Sequence, residues 1–275
     1  MTTRRLVLVG LGNYTHPLTR HSVGQILLKN LAQRALADPR FRSSGSSTFQ
    51  LTKSTSSGRF GKHASWTTLI TLHPHAPVAG GKTDSVELLF VLPKQLMNVS
   101  GPTAVAACHD FLPPIARART PPPPPREATP PPPSAPSADL SSSSTPSPAS
   151  GPPPSRPKRT KPPPPPPKPM YRLLALADDL DSPPSSLKYQ RGGGPKGHNG
   201  IRSLSAALPG GSRDFHRLWV GIGRPEERSE VARWVLAPLG REEFRRVEFD
   251  DDSGSGGETL EKAWEEILRV AYEDE

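Results

Sequence analysis

The chain has 275 residues, 33% of them hydrophobic, and 25 of its 37 prolines fall within residues 113–169, which leaves about 218 residues of ordinary composition, enough for one globular domain but not several. Net charge is +9, made of +6 in 113–169, −8 in 241–275 and +11 on the remaining body, an excess that favours a polyanionic partner such as nucleic acid. A single cysteine, Cys108, excludes an intrachain disulfide and a cysteine-based structural zinc site, and the absence of a long apolar run or a signal-like start points to a soluble, non-secreted protein.

In chain order, Leu6–Val9 is a short apolar run closed by Gly10-Leu11-Gly12, which reads as a buried strand ending in a tight turn. After Ser22, a good N-cap, Val23, Ile26, Leu27, Leu31 and Ala35 follow helical spacing up to about Ala37. Residues 41–57 are rich in Ser and Thr and suggest no regular element. Strands are expected over 66–72 and 86–92, a helix over 105–112 and a strand over 171–177. The proline block separates that helix from its successor strand, so it reads as an insertion into one domain, with 1–112 and 170–275 as the two parts. Its polyproline II runs cannot join a sheet, and disorder is expected there. Downstream come a helix over 201–208, a strand over 218–222, a short helix over 229–236 and an amphipathic helix over 258–272. The expected fold is α/β: one domain with a twisted mixed, largely parallel sheet covered by helices on both faces.

Several constellations could carry chemistry. Gly10-Leu11-Gly12 invites a dinucleotide reading, but Thr15 stands where the third glycine is needed, and a turn of unusual backbone angles is the better account. His21 precedes an inferred helix start, where the dipole keeps an imidazole neutral; it is either a general base or an ordinary structural histidine. Asp178-Asp179-Leu180-Asp181 directly follows a strand, as does Gly10–Asn13, so the two could face one crevice; a solvated acidic loop or a magnesium site are the alternatives. Arg191–Gly200 is a basic glycine-rich loop suited to phosphate, or a plain surface loop; it is not a P-loop. Asn98 is placed either to hold a developing oxyanion or to cap a helix.

Taken in order, Val9–Asn13, Thr19–Gly24, Met97–Gly101, Asp178–Asp181, Gly197–Gly200 and Val220–Pro225 resemble the bacterial-type peptidyl-tRNA hydrolase family. The resemblance implies a single α/β domain, no metal and no cofactor, and cleavage of the ester between a peptide and the 3′ ribose of tRNA, which recycles the tRNA. It implies His21 as the base that activates water, Asp178 as the carboxylate that orients it, and Asn13, Asn98 and Asn199 as substrate-binding amides, with Asn98 polarising the carbonyl. No covalent nucleophile is called for, in keeping with the lack of a G-x-S-x-G elbow and the apolar setting of Cys108.

The chain departs from that pattern in three places. The Asn13–His21 stretch is short, Ser22 replaces the usual Asn, and the two basic positions that hold the tRNA 5′ phosphate align with Gln190 and Trp219. Lys188, Arg191, Lys196 and Arg217 lie close by in sequence and are expected to reach phosphate instead. A rival reading is a catalytically impaired scaffold whose proline runs bind SH3- or WW-type domains; a spacer without partners is the plainer account of the insert. A monomer, cytoplasmic or mitochondrial, is expected.

Overall fold

A strand that is apolar on both faces needs helices above and below it, and this requirement places Leu6–Val9 at the centre of the molecule. The structure, a computed structural model, describes residues 3–53, 64–112, 171–211 and 213–273. Along the chain the elements are β1 (Thr3–Gly10), α1 (Val23–Ala37), β2 (Phe41–Gly45), β3 (Gln50–Lys53), β4 (Ala64–Pro74), β5 (Ser85–Pro93), α2 (Gly101–Phe111), β6 (Tyr171–Asp179), β7 (Leu187–Arg191), α3 (Asn199–Ala207), β8 (Phe215–Gly221), α4 (Val231–Leu236), α5 (Arg241–Val247) and α6 (Glu258–Tyr272). The proline-rich block, with its expected disorder, lies outside the described residues.

The sheet runs β2-β4-β5-β1-β6-β8-β7, with β3 also pairing with β4. Its central strands β5, β1, β6 and β8 are parallel, while β2, β3, β4 and β7 join antiparallel. Alternate residues of β1 enter opposite cores. Leu6 and Leu8 pack with Leu27, Leu31 and Trp264 of α1 and α6. Val7 and Val9 pack with Val105 and Leu204 of α2 and α3. Every residue of the run is therefore buried, which is why it shows no polar alternation.

The glycines around the first turn have a different purpose from the one the sequence suggests. Neither Gly10 nor Gly12 has a positive φ. A Cβ on Gly10 would lie 2.8 Å from the Gly24 carbonyl oxygen, and one on Gly24 only 2.3 Å from that of Leu176. Helix α1 thus sits almost backbone to backbone on β1 and β6. At its far end Asp38, 2% exposed, accepts from Trp264 Nε1 (2.6 Å) and from Arg40, fixing α1 to α6. Burial pushes the Asp38 carboxyl up, and its hydrogen bonds to Arg40 and Trp264 more than reverse this, holding it below its ordinary value.

Five elements differ from expectation. Strands β2 and β3 form in the Ser/Thr-rich stretch, where pairing with β4 substitutes for a hydrophobic pattern. Strand β7 and helix α5 were not legible; β7 is a sheet-edge strand of mixed polarity and α5 is mostly exposed. Helix α2 starts at Gly101, four residues before the expected position, with Pro102 in its first turn, where proline's missing N–H costs nothing. Ser22 does not cap α1 with its side chain; its hydroxyl instead accepts from Asn13 N–H (3.0 Å) and donates to His16 O (2.9 Å).

No helix among the described residues is long and apolar enough to cross a membrane. Because the Gly24 contact is with backbone, it cannot be relieved by a side-chain rotation. Gly24→Ala is expected to destabilise the fold by about 1–3 kcal/mol, read as a lower urea midpoint with an unchanged slope.

Candidate active site

The carboxyl ends of the parallel strands β5, β1, β6 and β8 share one rim, where open α/β sheets place their ligands. Two connections and a strand end meet there. Asn13 follows β1, Asn98 lies in a 3-10 turn (Met97–Val99) after β5, Asp178 ends β6, and His21 occupies a 3-10 turn (Arg20–Ser22) leading into α1. The close seat of α1 on β6 carries His21 to Asp178.

His21 Nδ1 is 2.8 Å from Asp178 Oδ1, and His198 Nε2 is 2.9 Å from the same oxygen. Ile201 N–H donates to His198 Nδ1 (3.2 Å), so that nitrogen is unprotonated and Nε2 carries the hydrogen given to Asp178. His21 in turn donates from Nδ1, which leaves its Nε2 lone pair free. Asp178 is 4% exposed. Burial pushes its carboxyl up, but His198 and then His21 more than offset this and hold it at about 2. The carboxylate is thus charged across the physiological range. His198 is absent from the residues singled out by sequence, although it lies inside the Gly197–Gly200 motif and serves as N-cap of α3.

His21, Asp178 and His198 also present three ligand atoms within 4.8 Å of one another, the arrangement of a possible metal site. The hydrogen bonding argues against it. A metal on His198 Nε2 would move the ring proton to Nδ1, directly against the Ile201 N–H.

The three asparagines play different parts. Asn13 Oδ1 accepts from Met97 N–H (3.0 Å), tying the β1 loop to the turn that bears Asn98. Asn98 is exposed and its amide has no partner among the described residues. Asn199 is exposed too, its Oδ1 accepting from Arg202 (3.0 Å).

The basic residues divide by sheet face. Trp219 Nε1 donates to Gln190 Oε1 (3.0 Å), so the two residues at the expected phosphate positions satisfy each other, with Trp219 only 1% exposed. Lys188 shares their face by strand alternation and is exposed. Lys196, at a φ of +46°, holds its Nζ 5.0 Å from the Trp219 ring centre and 3.3 Å from Asp179 Oδ2. Arg191 points to the opposite face, towards Glu273 (3.5 Å). Arg217 is wholly buried, donating to the carbonyls of Gly194 (2.9 Å) and Arg213 (3.3 Å). Burial and neighbouring Arg213 pull its guanidinium down to about 10. The expectation that Arg191 and Arg217 reach phosphate beside Gln190 is therefore corrected: one faces away and the other braces the glycine-rich loop from beneath.

An imidazole oriented by a buried carboxylate at the strand ends of an α/β sheet is a layout for activating water. Residues 167–263 match the family model for peptidyl-tRNA hydrolase. The peptidyl-tRNA hydrolase of Methylobacillus flagellatus is 40% identical over 103 residues, which is 36% of this chain and 52% of that protein. That of Thiobacillus denitrificans is 48% identical over 71 residues, 26% of this chain and 34% of that protein. The matched stretches thus span about half or less of those relatives. A solved peptidyl-tRNA hydrolase from Acinetobacter baumannii superposes with a TM-score of 0.50 at 19% identity, covering 97% of this chain and 88% of that one, a likeness of fold.

Because Asp178 is held near 2, its ionisation stabilises the fold above about pH 4, and that contribution is lost as pH falls through about 2. Asp178→Asn is expected to be less stable than wild type at pH 7 by on the order of 2 kcal/mol, with the gap closing on acidification, as followed by denaturant midpoints.

Proposed function

We propose that this chain hydrolyses the ester linking a peptide to the 3′ ribose of tRNA, releasing peptide and free tRNA. The observation that carries the reading is the 2.8 Å contact between His21 Nδ1 and Asp178, which turns the free His21 Nε2 into a proton acceptor at the crevice. Water gives a proton to Nε2 and attacks the ester carbonyl carbon. The resulting oxyanion is held by the Asn98 amide, and the imidazolium, stabilised by Asp178, returns the proton to the departing ribose oxygen. Asn13 fixes the turn bearing Asn98, and Asn199 contacts the substrate from the start of α3. The mechanism uses only these side chains and water.

Of the basic residues, Lys188 and Lys196 are the ones suited to tRNA phosphate, since they share the face of Gln190 and Trp219 and are exposed. Residues 1–112 and 170–275 are taken as one hydrolase domain acting as a monomer, in a cytoplasmic or mitochondrial compartment where translation occurs. The proline runs of 113–169 have the composition of ligands for proline-recognition domains.

The test is release of free tRNA from N-acyl-aminoacyl-tRNA. Wild type is expected to turn over and His21→Ala to lose about 10²–10⁴ in rate; no turnover by wild type, or full rate in the variant, overturns the reading. In binding titrations against salt, Lys188→Gln and Lys196→Gln are each expected to reduce the slope of log affinity against log salt by about 1. Arg191→Gln is expected to leave it unchanged.

A further inference from the structure

We propose that His198 is a positioning residue that limits how strongly Asp178 draws a proton onto His21, and so keeps the base free at neutral pH; this rests on the hydrolase reading. The geometry is specific. A single carboxylate oxygen, buried at the end of β6, accepts from both imidazoles at 2.8 and 2.9 Å. Two donors on one oxygen divide its charge, so each feels a weaker acceptor than it would alone. An unshared Asp178 would stabilise the His21 imidazolium more strongly, and a base already protonated cannot accept from water.

His198 is built to make this contact and little else. Its Nδ1 is occupied by the Ile201 N–H, so the ring is anchored to the first turn of α3 and its proton is confined to Nε2. A hydrogen on Nδ1 would be set against the Ile201 N–H, so the ring donates to Asp178 from Nε2 alone. Gly200 leaves room for the ring, since a Cβ there would lie 3.0 Å from His198 Cε1, and the Trp219 edge stands with its centroid 5.9 Å away. Other charges near the pair are already committed. On β6, Asp179 binds Ser182 and Lys196; from the glycine-rich loop, Lys196 is held by Asp179; beside His21, Arg20 pairs with Glu243. Strand β8 contributes the uncharged Trp219. The His198 donor is therefore the neighbour that divides the charge of the Asp178 oxygen with His21.

The informative variant is His198→Asn, whose side-chain oxygen can still cap α3 at Ile201 N–H but whose amide is too short to reach Asp178. Its acid limb of log kcat against pH is expected to move to higher pH by roughly 0.5–1 unit, so that kcat falls several-fold more at pH 6 than at pH 9, with KM little changed. His198→Ala, lacking both cap and donor, is expected to show the same displacement with lower thermal stability. Titration of the His21 ring followed by NMR, in wild type and His198→Asn, reads the same displacement without catalysis. An acid limb and a ring titration coincident with wild type in His198→Asn overturn the inference. A wild type without turnover overturns only the hydrolase reading, since the ring titration still decides the role of His198.

Discussion

A charge removed from water must be matched by donors, and the Asp178 carboxylate is where this chain meets that constraint most severely. Its oxygen is reached from two directions: by His21 from the turn before α1 and by His198 from the turn before α3. Each approach depends on a separate packing condition. Helix α1 can come near only because Gly24 lets its backbone touch Leu176 O, and His198 is aimed only because α3 begins at the next residue. Either approach alone would leave the buried oxygen with a single donor.

The same economy governs the wall of the crevice beyond Trp219. Gln190 and Trp219 complete each other's hydrogen bonding, so this wall is polar yet uncharged. The positive charge comes instead from Lys196, whose left-handed backbone is held from its side-chain end by Asp179 and the indole face. Arg217, two positions before Trp219 and opposite Gln190 in pairing with β7, is spent inward on the Gly194 carbonyl of the loop that carries Lys196. Basic residues close in sequence thus do unlike work: strand alternation turns Arg191 to the face opposite Gln190, while Arg217, on the Gln190 face, is buried beneath the loop.

That alternation marks the boundary of what the amino-acid order discloses. The α/β class, the strand at Leu6–Val9 and the long amphipathic α6 are legible because buried apolar periodicity is a local property. The facing of His21 and Asp178 follows from strand-end placement together with family motifs. Strands β2, β3 and β7 are illegible because their stability lies in pairing with β4 and β8, and an edge strand needs no apolar signature of its own. His198 escapes notice for a similar reason: its role exists only once Ile201 N–H and Asp178 stand on either side of its ring. The glycines at 10 and 12 are recognisable as special, but the cause, the close approach of helix and strand and not torsional freedom, is a tertiary fact.

The places where the chain leaves and re-enters the domain around the proline block have a consequence of their own. Helix α2 runs away from the crevice, and its last carbonyl, that of Phe111, meets Arg5 near the start of β1; β6 likewise begins at that end. This contact closes the amino ends of the strands, at the pole opposite His21 and Asp178. A change at Arg5 or Phe111 is therefore absorbed at the strand starts, the length of β6 away from the Asp178 oxygen.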